Sequence, residues 1–409
     1  MKPFADISPD QFNYVLPDNR IAVFPAGIRD NSRLLIRGKD GALHQDTFRN
    51  LCDYLVEDSH LFFNNSKVIP ARLVFTKETG SCIEIFCLKP EEPSDYALSL
   101  SATKTCSWEC MVGNLKRFSS DSLQLAISTS NINLTLKAEK FSQTGNSVII
   151  KFTWNNDRVN FAEILSLVGK TPLPPYIKRD PSAIDRERYQ TIYSKFDGSV
   201  AAPTAGLHFT NYVFERLAKK HISRHEITMH VGAGTFQPIK TNQIIDHKMH
   251  AEFFKVTPAL LQLLATMPGR VACVGTTTVR TLESIYWLGI KIIQSNDLAI
   301  HRLHLDQWEP YKLPSGYTMK QSFEAFGGWM EKRKIKETMA STSLMILPGY
   351  RFKVVDTLVT NFHQPRSTLL LLIAAFIGKS WKETYYFALQ QGFRFLSYGD
   401  SSLLFIQEV

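Results

Sequence analysis

The sequence predicts an α/β fold, a mainly parallel sheet covered by helices, into which a small antiparallel β-barrel is inserted. Two changes of texture predict it. Between about Leu73 and Trp154 short β-rich runs follow one another with turns between them, and after Phe161 strand-like and helix-like stretches alternate. Short strands at regular spacing argue for a barrel or sandwich, whereas strands separated by helices argue for a parallel sheet with crossover helices. The α/β part is therefore discontinuous, 1–72 with 155–409, and the barrel takes 73–154.

In chain order, Leu61-Phe62-Phe63 reads as a short buried strand ending at Asn64-Asn65-Ser66. The barrel runs are Cys82–Leu88, Trp108–Val112, Leu123–Ile127 and Ser147–Phe152. Thr210 is placed to cap a helix reaching Lys220, whose C-terminal end suits the cationic Lys219 and Lys220. Glu226–Val231, Arg270–Val274 and Phe352–Val359 read as strands, with a helix over Val279–Leu288 and another that Ser367 caps.

Composition narrows the class. With 409 residues, 44% of them hydrophobic and 21% charged, the chain can bury a large core without covalent staples. The N-terminus lacks the apolar core of a secretory signal, and the longest apolar run, Leu369–Ile377, is too short to span a bilayer, so a cytoplasmic protein with no membrane association is expected. Six cysteines without a C-x-x-C pair argue for free thiols rather than a disulfide framework or a zinc ribbon. The net charge of +9 favours an anionic partner such as nucleic acid, although no long basic block or known RNA-binding module is present.

Chemistry-bearing residues concentrate between Gly198 and Glu252. Ala201, Ala202, Ala205, Gly206, Gly232, Ala233 and Gly234 bring little side chain, which suits close approach of the backbone to a ligand, while His208, His230, His247 and His250 supply imidazoles, the side chain whose ordinary pKa lies closest to neutrality. Gly232-Ala-Gly-Thr-Phe-Gln resembles half of a dinucleotide-binding loop, but Gln237 and Pro238 stand where a glycine and a helix are needed. What remains is a glycine-rich loop at a strand end, with Thr235 able to bond a ligand. His247 and His250 are spaced to share a helical face, yet no third ligand follows at a recognisable spacing, so hydrogen bonding or proton transfer fits the pair better than a metal.

Further on, Val271–Val274 followed by Gly275, Thr276, Thr277 and Thr278 has the pattern of a strand, a tight turn and a helix N-terminus, a geometry that binds carboxylate or phosphate or serves as an ordinary capped turn. Arg280 and Glu283, three apart on one helical face, read as a surface pair. His363 and Tyr398-Gly399-Asp400 place polar groups near strand ends, where ligands of open α/β sheets bind.

Taken together, these segments resemble the S-adenosylmethionine:tRNA ribosyltransferase-isomerase family of queuosine biosynthesis. The likeness is collinear over most of the chain: Arg29–Leu35, Phe63–Leu73, Pro172–Ile177, Asp185–Gln190, Gly198–Thr210, His230–Pro238, Asp246–Glu252, Gly275–Ser284, Pro348–Phe352, Thr360–Leu371 and Arg394–Asp400. The resemblance implies an α/β domain with an inserted barrel. It implies that S-adenosylmethionine is consumed as a ribosyl donor to the aminomethyl group of preQ1 at the wobble position of tRNA, giving epoxyqueuosine with loss of adenine and methionine. No metal and no retained cofactor are expected, and a monomer is expected.

That chemistry asks for proton transfer at the carbon beside the sulfonium, at the departing adenine and at the attacking amine. The proton-handling pool is His208, His230, His250, Glu252 and His363, with Asp400 as an orienting group. Asn64, Arg72, Thr204, Gly232, Gly234, Thr235, Gly275, Thr276, Thr277 and Arg280 are the expected substrate contacts, the Gly275 turn being a carboxylate pocket. Two features depart from the family's pattern. The chain is longer between Trp287 and Leu347, and Met111–Arg117 lacks an Arg-Pro-Gly while retaining the charge of Lys116 and Arg117. A tRNA methyltransferase and a non-catalytic tRNA-binding relative are the competing readings; the first lacks the acidic residue and glycine cluster of a first βα turn.

Overall fold

The computed structural model describes residues 7–118, 122–145, 147–232, 234, 238–295 and 298–407. Its central sheet has seven strands in the order Ser223–Ile227, His60–Asn64, Val271–Val274, Thr357–Asn361, Ser401–Phe405, Arg33–Arg37, Leu43–Thr47. Four pairings are parallel, and Ser401–Phe405 against Thr357–Asn361 and Leu43–Thr47 against Arg33–Arg37 are antiparallel. The sheet is thus mainly parallel, as expected.

Period-two alternation sorts its side chains between two cores. Leu35, Phe62, Cys273, Leu358 and Leu404 face a large cluster that includes the helices Thr276–Gln294, Thr368–Ile377 and Trp381–Gln390. Leu34, Phe63, Val274, Val359 and Leu403 face Leu51–Tyr54 and Asn211–Lys219. Because both faces are covered, Val271–Val274, Thr357–Asn361 and Ser401–Phe405 are buried at every position.

The second sheet is the barrel. Its six strands are antiparallel throughout, in the order Arg72–Thr76, Cys82–Glu92, Thr105–Val112, Ser147–Trp154, Asn133–Thr144, Leu123–Ser128. The two outer strands, Arg72–Thr76 and Leu123–Ser128, lie beside each other, so the sheet is nearly closed. Its interior holds Phe75, Ile85, Trp108, Ile150 and Phe152 together with the thiols of Cys87, Cys106 and Cys110. All six cysteines are free. Asn133–Thr144, a twelve-residue strand, was not foreseen, because its lysine, glutamate and glutamine positions mask the alternation.

A third, four-stranded sheet was also missed: Met229–His230, Glu252–Val256, Thr338–Thr342 and His304–Leu305. The strand expected over Glu226–Val231 is split at Thr228, so that Glu226 and Ile227 join the central sheet and Met229 and His230 join this one. The long segment between Trp287 and Leu347 supplies two of the four strands and the helix Met319–Lys332. That helix buries Phe323, Phe326, Trp329 and Met330 in the large cluster and packs on Thr276–Gln294, which makes the segment part of the core.

Other boundaries moved. The helix expected from Val279 begins at Thr276 and runs to Gln294, and the strand expected over Phe352–Val359 is Thr357–Asn361. Thr210 and Ser367 cap their helices through Val213 and Leu370. Among the described residues no helix is long and apolar enough to cross a membrane.

The chain enters and leaves the barrel through one seam, where Arg72 and Lys170 exchange two backbone hydrogen bonds of 3.3 and 2.8 Å. Gly169 makes this possible: a Cβ there would lie 2.0 Å from Pro70 O and 2.4 Å from Leu165 O, both backbone atoms that cannot swing aside. Gly169→Ala is expected to destabilise the protein by roughly 1–3 kcal/mol through overpacking at this seam. Urea unfolding would measure it, and an unchanged midpoint would show that the seam yields without cost.

Candidate active site

Val271–Val274 and Thr357–Asn361 are parallel neighbours, and at their carboxyl ends the chain leaves in two directions, into Gly275–Thr278 and into Phe362–Ser367. A cleft of ≈ 610 Å³ opens there, in the crevice where open α/β sheets bind ligands. Gly275, Thr276, Thr277 and Thr204 line it with His363 and Ser397. Ala202 and Ala205 form part of its wall, so two of the small residues of the Gly198–His208 segment do bring backbone close to the cavity. Gly206 has a different use: a Cβ would lie 1.9 Å from the Tyr193 hydroxyl.

The floor of the cleft is the start of the helix Thr276–Gln294. Gly275 turns the chain with φ 87°, a left-handed conformation that favours glycine, and no side chain caps the helix. The first N–H groups of a helix have no acceptor within it, and a buried helix start without partners calls for an anion. Two side chains on the same helical face carry the same demand. Thr277 Oγ1 is buried without a hydrogen-bond partner, whereas Thr278 Oγ1 donates back to Val274 O at 2.7 Å. One turn on, Arg280 donates from Nε to Leu344 O at 3.0 Å and from Nη1 to Glu252, while its Nη2 is buried with no acceptor.

Arg280 opens onto a second lobe of ≈ 700 Å³, lined by Gly232, Gly234, His247, His250 and Glu252; Leu369 borders both lobes. Arg280 and Glu252 are each at least 95% buried. Arg280 and Glu283 are therefore no surface pair. Glu283 is fully buried and accepts from Tyr350 Oη and from the backbone N–H groups of Lys353, Val354 and Val355, which holds the 350–355 loop; burial raises its pKa. The His247–Glu252 stretch is not helical, since a short 3₁₀ turn ends at Asp246 and a strand starts at Glu252. Its two histidines reach the lobe from irregular chain. Among the described residues no cluster of three ligands suited to a metal is present.

The five proton-handling candidates separate. His250 and Glu252 lie in the second lobe and His363 in the first. His363 Nε2 is bonded to Thr360 Oγ1 at 3.1 Å, and burial pushes its pKa down to about 3. His208 is buried behind the cleft with both nitrogens occupied. Asn361 donates both amide hydrogens, to Leu396 O and Ser397 O, so its Oδ1 accepts from His208 Nε2–H and His208 Nδ1 accepts from Ser32 Oγ. Burial lowers the His208 pKa to about 4, which keeps this tautomer neutral. His230 turns away from the cleft, which its neighbour Val231 lines, and stacks on Tyr96 of the barrel side at 4.1 Å in a separate groove. Strand alternation is the reason: adjacent residues point to opposite faces.

Two expected contacts, Asn64 and Arg72, and the expected orienting group Asp400 are structural in their surroundings. Asn64 is buried, donates to Met229 O and accepts from Ser66 N and Met229 N, bolting the end of its strand to the small sheet. Arg72 pairs with Glu84 at 3.1 Å, bonds Leu173 O and lies over Phe86 at the barrel seam. Asp400 accepts from Arg33 N, Arg394 N and Arg394 Nη2, which fixes the 394–400 loop. Thr235 lies outside the described residues.

The queuosine biosynthesis protein family model matches residues 9–404. The chain belongs to that family. Two curated members are named S-adenosylmethionine:tRNA ribosyltransferase-isomerase: one from Trichlorobacter lovleyi, 36% identical over 401 residues, covering 96% of this chain and 98% of the relative, and one from Thermotoga petrophila, 37% identical over 399 residues with the same coverage. A crystal structure of S-adenosylmethionine tRNA ribosyltransferase from Thermotoga maritima is 28% identical, covers 96% of this chain and 99% of that one, and has a TM-score of 0.45.

In this queuosine-family chain, residues that had not been singled out also line the site. Asn361 and Ser397 are in the first lobe and Lys240 is in the second. All three lie in or next to the motifs that carry the resemblance, but only the fold turns them toward one cavity.

Two outcomes follow from this geometry. Thr277→Val removes a buried hydroxyl that no protein group satisfies, so stability is expected to hold or to rise by up to about 1 kcal/mol; a clear loss in thermal melting would reveal a partner. For His208 and His363 the folded pKa lies below the unfolded value of about 6.5, so the unfolded chain binds more protons. Their stabilisation is complete above about pH 6.5 and fades toward pH 4, by about 1.4 kcal/mol per pH unit for each. Denaturant unfolding at steps from pH 7 to 5 should show this slope; a flat profile would contradict it.

Proposed function

We propose that this chain is an S-adenosylmethionine:tRNA ribosyltransferase-isomerase, acting as a cytoplasmic monomer on preQ1-modified tRNA. The ribosyl unit of the donor passes to the aminomethyl group of preQ1 at the wobble position and is rearranged to epoxyqueuosine, with release of adenine and methionine. S-adenosylmethionine is consumed, and no metal or retained cofactor takes part. The named relatives and the family match support the reaction.

The observation that carries the reading is the uncapped helix start at Gly275, with Thr277 Oγ1 and Arg280 Nη2 buried and unsatisfied on one face. The donor has an α-carboxylate that accepts hydrogen bonds from the helix N–H groups and from Thr277 Oγ1. Its ribose carries hydroxyl groups able to take the free Arg280 donor. In this reading the carbon beside the sulfonium faces the second lobe, where Glu252 and His250 receive and return protons. His363 serves the first lobe. Its depressed pKa keeps it neutral near pH 7, able to accept or relay a proton. His208 acts through Asn361, holding that amide against the cleft, and is a positioning residue.

Purified protein incubated with S-adenosylmethionine and preQ1-containing tRNA is expected to release adenine and methionine and to give the nucleoside mass of epoxyqueuosine. Methylated tRNA with S-adenosylhomocysteine would replace this reading with a methyltransferase, and binding without turnover would favour a non-catalytic relative. His250→Ala should lower turnover more than roughly tenfold, because proton-transfer groups typically contribute about 10²–10⁴-fold. His230→Ala should leave kcat within roughly threefold. The reverse ranking would move the chemistry to the groove beside Tyr96.

A further inference from the structure

Behind the first lobe lies a second polar pocket that the reaction above does not use. It has ≈ 260 Å³, less than half of the ≈ 610 Å³ cleft, and Ser397 borders both. Three guanidinium groups line it, those of Arg29, Arg188 and Arg394, and no carboxylate does. Arg394 is paired with Asp400 at 3.0 Å. Among the described residues neither Arg29 nor Arg188 has an acidic side chain within ion-pair distance.

The two unpaired arginines are held in place by backbone. Arg29 donates to Leu207 O at 3.0 Å and to Glu187 O at 3.1 Å, while Arg188 donates to Gly27 O at 3.0 Å and to Ala26 O. Carbonyl groups fix the planes of the guanidiniums but leave their charges uncompensated. Burial and the neighbouring Arg188 both depress the pKa of Arg29, and only the exposed Glu187 and two tyrosines oppose that repulsion. Nε of Arg188 is buried without an acceptor. The nearby His208 is neutral and adds no charge. Such a pocket is preorganised for a compact anion with several oxygens, because forked guanidiniums match phosphate geometry and are the usual means of holding it.

We propose that the Arg29–Arg188–Arg394 pocket seats a backbone phosphate of the RNA substrate, next to the nucleotide that occupies the cleft. The assignment rests on the RNA reading above and names the surface that receives the chain. Its place supports this: Ser397 borders both the pocket and the cleft, so a phosphate flanking an inserted nucleotide lies close to the three guanidiniums.

The test compares Arg29→Gln/Arg188→Gln with the unaltered protein, measuring binding of preQ1-containing tRNA across a salt series and of S-adenosylmethionine alone. The double variant should bind RNA roughly tenfold more weakly at low salt, with the slope of log affinity against log salt reduced by about one for the lost phosphate contact. Donor affinity should be unchanged. Arg29→Lys/Arg188→Lys should restore the salt slope, because the charges return without the forks. Unchanged RNA affinity and slope would overturn the proposal, as would weakened RNA binding with the slope intact. Loss of donor binding together with RNA binding would mark a scaffold role and also overturn it. Competition by inorganic phosphate without any effect of the variants on RNA would make the pocket a free-anion site instead. If the unaltered protein fails to bind the tRNA, the functional reading itself falls, which separates that failure from this one.

Discussion

The site depends on one buried helix, Thr276–Gln294, and on the two charges that bolt it in place. Nearly the whole of its length is buried between the central sheet, the small sheet and the helix Met319–Lys332. Arg280 ties it to Glu252 on the small sheet, and Glu283 ties it to the backbone of the 350–355 loop. Removing one member of such a pair leaves an uncompensated charge, a loss of roughly 3–5 kcal/mol, so the helix start cannot drift from the strand ends. A fixed helix start is what holds two unsatisfied donors, Thr277 Oγ1 and Arg280 Nη2, at the two lobes of the site.

The polar residues expected at the site divide by what they already satisfy. Asn64, Asp400 and His208 have their hydrogen-bonding capacity absorbed by backbone or neighbouring side chains. Thr277 Oγ1 and Arg280 Nη2 do not. Since an unpaired buried donor is costly, these unsatisfied groups are the ones the proposed substrate binding would satisfy. The same accounting separates the Arg29 and Arg188 pocket from arginines whose partners are carboxylates, such as Arg179 with Asp185.

Much of the architecture was legible because the texture of the chain changes where the architecture does. Alternating short strands announced the barrel, and Val271–Val274 followed by Gly275 announced the strand, turn and helix at the centre of the site. The four-stranded sheet was not legible. Two of its strands are only two residues long, Met229–His230 and His304–Leu305, and no periodicity is readable over that length. The long segment between Trp287 and Leu347 stands out in the sequence only as added length, yet its strand Thr338–Thr342 pairs with the strand that carries Glu252.

By itself the sequence determined the class of fold, the family and the pool of histidines, threonines and small residues from which a site is made, because these are properties of composition, order and local pattern. Which members of that pool meet was decided only by tertiary structure. His230 and Val231 are neighbours in the chain but face opposite sides of a strand, one toward Tyr96 and one toward the cleft. His208 and Asn361 are 153 residues apart yet share a hydrogen bond that sets a tautomer. Direction and pairing of side chains come from strand alternation, burial and long-range hydrogen bonds, and those exist only once the chain is folded.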